Sequence, residues 1–129
     1  MVVVAMAALS VAARALESQA ARYSAPTFQV DPAWPKLPKQ WILGQVSGVA
    51  TDAKDHVWVL QRPWSLNSDE MAKNPEAECC YAAPPVMEFD SSGNYVQGWG
   101  GKPDDGSYEW PEDEHGIHVD YKRNVWVSS

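Results

Sequence analysis

The chain has 129 residues, of which 45% are hydrophobic and 21% charged, a composition typical of a globular rather than a disordered protein. Its net charge of −7 argues against non-specific binding to nucleic acid, which requires a basic surface. Seven Trp and ten Pro favour short strands joined by turns over long helices. Composition therefore predicts an all-β fold without a nucleic-acid partner.

The chain opens with an apolar segment. Residues 1–13 carry no charged side chain, and they are too few to cross a bilayer as a helix, which takes about 20 apolar residues. The small residues that follow are typical of a signal-peptide cleavage region, although no basic residue precedes the apolar stretch. We interpret residues 1–22 as a signal-peptide-like segment and expect an extracytoplasmic (periplasmic or secreted) protein with no stable membrane span. An upstream start or an ordinary buried helix is the alternative.

A twelve-residue pattern occurs twice. Residues 48–59 align without gaps on residues 116–127, and six of the twelve positions are identical, whereas random pairing gives about one. In each copy a Gly opens a short strand, an Asp ends it, and Val-Trp-Val forms the return strand of a hairpin. Trp58 and Trp126 are equivalent in these hairpins, so both are predicted to pack in the core between sheets.

Two further strands are predicted at residues 86–90 and 95–100, on either side of a Ser-Ser-Gly-Asn turn. Four antiparallel strands followed by a repeat of the first two are typical of β-propeller blades. We therefore predict a lead-in segment at residues 23–46 and about one and a half blades at residues 47–129. Because so few blades cannot close a ring, we expect them to be the first part of a longer propeller. An unrelated all-β fold is the alternative.

The segments Gly-Gln-Val-Ser-Gly-Val-Ala at 44–50 and Val-Trp-Val-Leu-Gln-Arg at 57–62 resemble the opening of NHL-repeat propellers. Among these, the peptidyl-α-hydroxyglycine α-amidating lyases are most similar, over roughly residues 41–129. The resemblance implies a six-bladed propeller with zinc and a structural calcium ion in its central channel. It further implies a peptide or other small substrate in that channel, cleaved to a peptide amide and glyoxylate.

The resemblance also assigns site residues. Arg62 stands at the position of a catalytic arginine, and His115, just before the second hairpin, stands at that of a zinc ligand. Val49 and Ile117 stand where backbone carbonyls bind calcium. The chain differs from the family in having Glu114 instead of a proline before the histidine. Two further zinc histidines and a catalytic tyrosine would lie in other blades, so residues 47–129 alone are expected to be inactive.

The known chemistry of zinc and of arginine is compatible with these assignments. Three histidines from different blades leave the fourth position of a zinc ion open. A planar, permanently charged arginine beside the metal can hold a carboxylate or a developing oxyanion. Two other functions stay open, because fold alone does not decide function. They are a propeller that only binds a protein or carbohydrate, and a lactonase-type propeller with one channel calcium.

The remaining features are weaker signals. Three tryptophans, Trp64, Trp99 and Trp110, are candidates for lining a ligand-binding mouth. The acidic connector at residues 101–114 lacks EF-hand spacing and is expected to be solvated, as is His56 in the first turn. Cys79 and Cys80 are adjacent, which does not fit a structural zinc site. A vicinal disulfide and two free thiols are both compatible with them.

Overall fold

The computed structural model describes residues 25–38, 40–70 and 80–129. The described residues belong to two units, which are divided between Asp31 and Pro32. The signal-peptide-like segment at 1–22 lies outside the described residues, as does Cys79, while Cys80 is disulfide-bonded. Within the described ranges, no helix has the length and apolar character needed to cross a membrane.

The described regular structure of the second unit consists of short strands and one 3-10 helix at Pro63–Ser65, which confirms the all-β fold class. The strands are β1 (Trp41–Ile42), β2 (Gln45–Thr51), β3 (Val57–Arg62), β4 (Tyr81–Ala82), β5 (Val86–Phe89), β6 (Tyr95–Trp99), β7 (Gly116–Val119) and β8 (Val125–Ser128). β2, β3, β5 and β6 form a four-stranded antiparallel sheet in that order, β7 and β8 form a separate antiparallel hairpin, and β1 pairs in parallel with β4. None of these sheets closes on itself.

Three tight turns, β2–β3, β5–β6 and β7–β8, share one pattern of hydrogen bonds. Each begins with an aspartate, Asp52, Asp90 or Asp120. Its Oδ1 accepts the backbone N–H groups of the residues two and four positions later, at 2.8 to 3.1 Å. The aspartate N–H in turn donates to the carbonyl of the residue four positions later. These bonds explain why the same short motif folds as a hairpin each time.

Side-chain amides stabilise the ionised form of two of these aspartates. The side-chain amide of Asn94 donates to Asp90 at 2.8 Å, and this bond is the main cause that lowers the pKa of that carboxyl. The side-chain amide of Asn124 lowers the pKa of Asp120 in the same way. Ionised aspartates at these positions therefore support the hairpins at neutral pH.

The four-stranded sheet is covered on both faces. On one face Trp58, Leu60 and Val86 form a hydrophobic cluster with Val119 of β7. On the other face the cluster of Val59, Ala83, Met87 and Phe89 is covered by partly buried side chains that precede β2, together with Tyr95: Trp34, Leu37, Trp41 and Leu43. Burial of both faces explains why the sequences of β3 and β5 are almost continuously apolar.

The two equivalent tryptophans differ in burial. Trp58 is 3% exposed, as predicted, whereas Trp126 is 61% exposed, so the prediction of a core position is wrong for Trp126. Among the described strands β8 pairs only with β7, so no sheet covers the outer side of this hairpin. Both indoles nevertheless donate to their turn aspartate, Trp58 to Asp52 at 3.4 Å and Trp126 to Asp120 at 3.2 Å.

Candidate functional site

The first strands of the two hairpins, β2 and β7, lie side by side. A Cβ atom on Gly48 would lie 3.1 Å from Ile117 Cγ2 and 3.3 Å from the Ile117 nitrogen, so the glycine permits this close approach. The start of β2 is paired with the end of β3, where Gln45 faces Arg62. Arg62 is thereby brought to the segment that leads into β7.

Three contacts hold the guanidinium of Arg62, whose side chain is 18% exposed. Its Nε–H donates to the carbonyl oxygen of Glu114 at 2.8 Å. Its Nη2 forms an ion pair with Asp113 Oδ1 at 2.8 Å. Its central carbon lies 5.6 Å from the centroid of the Trp64 ring, within the range of a cation–π contact. The planar cation is therefore oriented on one edge and one face.

Glu114 is 2% exposed, although the acidic connector was expected to be solvated. Its Oε2 accepts the indole N–H of Trp64 at 2.9 Å, and its Oε1 accepts that of Trp110 at 2.7 Å. These two donors satisfy a carboxylate that burial would otherwise destabilise. The expectation is wrong for Glu114 because these aromatic donors fold onto it. It holds for the other connector acids, which are all exposed: Asp104, Asp105, Glu109, Glu112 and Asp113.

His115 follows directly and has an exposed side chain. Its backbone N–H donates to the Ser128 carbonyl at 2.8 Å, which fixes the main chain at the entrance to β7. The expected site residues Arg62 and His115 thus meet through Glu114, and the expected calcium positions Val49 and Ile117 lie on adjoining strands. The catalytic role of Arg62 and metal binding by His115, Val49 and Ile117 stay predictions.

Two cavities adjoin this region. One of about 290 Å³ is lined by Trp64, Trp110, Lys102 and three prolines. Another of about 530 Å³ is lined by Trp99, Tyr108 and Trp110. The rings of Trp99 and Trp110 meet edge to face, with centroids 6.2 Å apart. All three tryptophans expected at a ligand-binding mouth therefore line one cavity or the other.

Sequence reasoning missed a second group of ionisable side chains, which we call the turn cluster: Asp52, His56, Glu88 and Arg123. One possible metal-ligand atom from each of Asp52, His56 and Glu88 lies within 4.8 Å of the others. His56 Nδ1 is 2.7 Å from Glu88 Oε1, and the His56 side chain is only 22% exposed. The expectation that His56 faces solvent is therefore wrong, because the buried Glu88 needs a hydrogen-bonding partner.

Arg123 already supplies a cation to the turn cluster. Its Nη2 lies 3.3 Å from Glu88 Oε1, and its Nε lies 3.7 Å from Asp52 Oδ2. Burial raises the pKa of Asp52, but backbone hydrogen bonds from Lys54 and His56 and the indole of Trp58 leave that pKa below its usual range. A fixed guanidinium so close to both carboxylates opposes entry of a divalent ion. We interpret the turn cluster as an ionic link between the sheet and the β7–β8 hairpin.

Comparison with known proteins finds no matching family model and no significantly similar curated protein. Functional assignment for this chain therefore depends on the local motif at residues 44–62 and on the geometry around Arg62. Of the two groups of polar side chains, the one around Arg62 is the better candidate, because it combines an oriented cation, an exposed imidazole and adjoining cavities.

Proposed function

We propose that this chain belongs to an extracytoplasmic NHL-type β-propeller that cleaves hydroxyglycine-extended peptides as a zinc-dependent amidating lyase. In this proposal Arg62 and His115 are its contribution to the channel site. The observation that carries the proposal is the 2.8 Å hydrogen bond from Arg62 Nε to the carbonyl of Glu114, the residue before His115. Arg62, at the end of β3, and His115, directly before β7, are assigned separately by the resemblance. The hydrogen bond brings these two strand ends together.

The arrangement of strands supports the propeller. A four-stranded antiparallel sheet is followed by a hairpin whose first strand adjoins the first strand of the sheet. Successive propeller blades place their innermost strands side by side around a channel. In both hairpins the tryptophan six positions after the turn aspartate also donates its indole N–H to that aspartate, which supports the two hairpins being copies of one unit.

The donor set suits the proposed metal. Imidazole is a good ligand for zinc, and the exposed side chain of His115 is accessible to an ion shared with histidines of other blades. When bound, zinc supplies a Lewis acid. Val49 and Ile117, on adjoining strands, would offer their carbonyls to calcium.

Arg62 would bind the carboxylate of the hydroxyglycine residue. Its guanidinium is held by the Glu114 carbonyl and the Trp64 ring, so little reorientation is needed when an anion arrives. The cavity beside Trp64 and Trp110 would receive an apolar part of the peptide. Orientation of the scissile residue between Arg62 and His115 is the task assigned to this chain.

Replacing His115 tests the proposal. In the full-length protein we expect His115→Ala to lose most of its bound zinc and its release of glyoxylate from an N-acyl-α-hydroxyglycine. His118→Ala is the matched control, because His118 is also exposed but lies within β7, and it should retain both. Zinc content is measured by elemental analysis. Unchanged zinc in His115→Ala would remove His115 from the metal site.

A binding propeller without chemistry is the second candidate. The cavities lined by Trp64, Trp99 and Trp110 favour it, because aromatic and proline side chains offer apolar surface to a peptide or carbohydrate. Retained binding of an N-acylglycine with no glyoxylate release from the hydroxylated analogue would support this candidate over the lyase.

A further inference from the structure

We propose that Asp113 occupies the ligand position of Arg62, and that a carboxylate ligand binds there by displacing the Asp113 side chain. The Asp113 side chain would therefore compete with such a ligand for Arg62. This inference rests on the proposed function only in taking Arg62 as a residue that binds substrate.

The first step is the way Arg62 is held. Nε–H donates to a neutral backbone carbonyl, that of Glu114, and the face of the guanidinium lies over Trp64. Neither partner neutralises the positive charge. Among the described residues, Asp113 is the one carboxylate within ion-pair distance of Arg62, at 2.8 Å from Nη2. The charged end of the guanidinium is therefore occupied by Asp113 alone.

The second step is the difference in burial between the partners. The Asp113 side chain is 67% exposed, against 18% for Arg62. Ion pairs with an exposed partner are weak, because water and salt compete with them. Asp113 can rotate into solvent at little cost, while Arg62 keeps its contacts with Glu114 and Trp64. Departure of Asp113 would thus leave an oriented anion-binding group in place.

The third step is the class of ligand. A carboxylate matches the geometry already seen, since Asp113 itself presents one to Nη2. Trp64 belongs both to the support of Arg62 and to the wall of the 290 Å³ cavity. A ligand that joins a carboxylate to a nearby apolar group would use both features. An N-acylated α-amino acid, such as the end of a peptide, has this composition.

The experiment uses N-benzoylglycine, which carries a carboxylate and an aromatic acyl group but has no hydroxyl to react. Its dissociation constant is measured by NMR from the shift of the Arg62 Nε–H signal. Asp113→Asn removes the competing charge and should bind the probe about two- to fivefold more tightly than the wild type. Asp104→Asn makes the same change of charge at an exposed connector residue and should bind as the wild type does. Arg62→Gln is followed through the Trp64 indole signal and should not bind.

Equal affinity in Asp113→Asn and the wild type would overturn the displacement by Asp113. Equal tightening in Asp104→Asn and Asp113→Asn would overturn it too, because net charge alone would explain the gain. Binding that persists in Arg62→Gln would place the carboxylate elsewhere. The probe needs no zinc and no turnover, so tighter binding by Asp113→Asn supports the inference even if His115→Ala shows that the lyase proposal is wrong.

Discussion

Two buried glutamates of this protein are stabilised in different ways. Glu88, 1% exposed, contacts the cation Arg123 and the imidazole of His56, and its Oε2 accepts a hydrogen bond from Gln97. Glu114, 2% exposed, is held by two neutral indole N–H groups. The contact between Glu88 and Arg123 therefore stabilises the fold. Because indoles satisfy the Glu114 carboxylate, the guanidinium of Arg62 pairs with the exposed side chain of Asp113 instead.

This difference separates a structural cluster from a candidate site. In the turn cluster the charged groups come from the sheet and from the β7–β8 hairpin, and they compensate one another. Around Arg62 the positive charge is not compensated without Asp113, and a cavity adjoins Trp64, which packs on the cation. A metal-like arrangement of Asp, His and Glu is therefore a poorer guide to function here than an oriented cation with an exposed counter-charge.

The largest effect is expected from Glu88→Ala. The substitution leaves Arg123 and His56 without their buried partner and opens a space on the face of the sheet that carries Trp58 and Val86. Losing the hydrogen bonds from His56, Gln97 and Arg123 to this buried carboxylate should lower the unfolding free energy by about 3 kcal/mol. Urea unfolding measures it, with exposed Glu112→Ala as a control that should change by less than about 0.5 kcal/mol. Equal effects of the two substitutions would contradict a structural role for Glu88.

A smaller loss is expected from Glu114→Ala. The two indoles lose their acceptor, but Trp64 is 57% exposed and can donate to water instead. Unsatisfied buried donors cost about 1 to 2 kcal/mol, so the unfolding free energy should fall by that amount. The indole N–H signals of Trp64 and Trp110 should both move in the NMR spectrum, and those of Trp58 and Trp126 should not. A loss greater than that of Glu88→Ala would reverse the comparison.

Local features of this fold were predictable from the sequence and distant ones were not. The hairpin strands at 57–62 and 125–128 follow from residues within one turn of each other, because Asp52 and Asp120 bond to their own turns. The bond from Trp64 to Glu114 joins residues 50 positions apart, and that from Arg123 to Glu88 joins residues 35 apart. Nothing in the local pattern specifies such pairs.

The ends of the strands were also not predictable from the local sequence. Gly48 was expected to open the first strand, but β2 begins at Gln45, and its register shifts between Val46 and Gly48. The glycine lies inside the strand because Ile117 of β7 approaches it there. The parallel pairing of Trp41 with Tyr81 was missed for a similar reason, since two-residue strands carry no alternation that a sequence can display.

The smallest expected effect comes from glycine substitutions in two turns. They distinguish the free-energy cost of the backbone conformation from the contribution of the charged side chains. Asp55 and Arg123 occupy equivalent turn positions with φ of 59° and 66°, where glycine is favoured by about 1 kcal/mol. Asp55→Gly should therefore raise the unfolding free energy by up to about 1 kcal/mol. Arg123→Gly gains the same relief but loses the contacts with Glu88 and Asp52, so it should destabilise the protein.

The two effects can be separated by making Arg123→Gly in the Glu88→Ala variant, again with urea unfolding as the measurement. Most of the ionic role of Arg123 is then already lost, so the backbone gain should dominate and the substitution should become neutral or stabilising. Asp55→Gly should have the same effect in both backgrounds, because the exposed Asp55 side chain lies outside the turn cluster. If Arg123→Gly were equally destabilising with and without Glu88, the guanidinium would not link the β7–β8 hairpin to the sheet through that glutamate, and Glu88 would not differ from Glu114 in being paired with a cation.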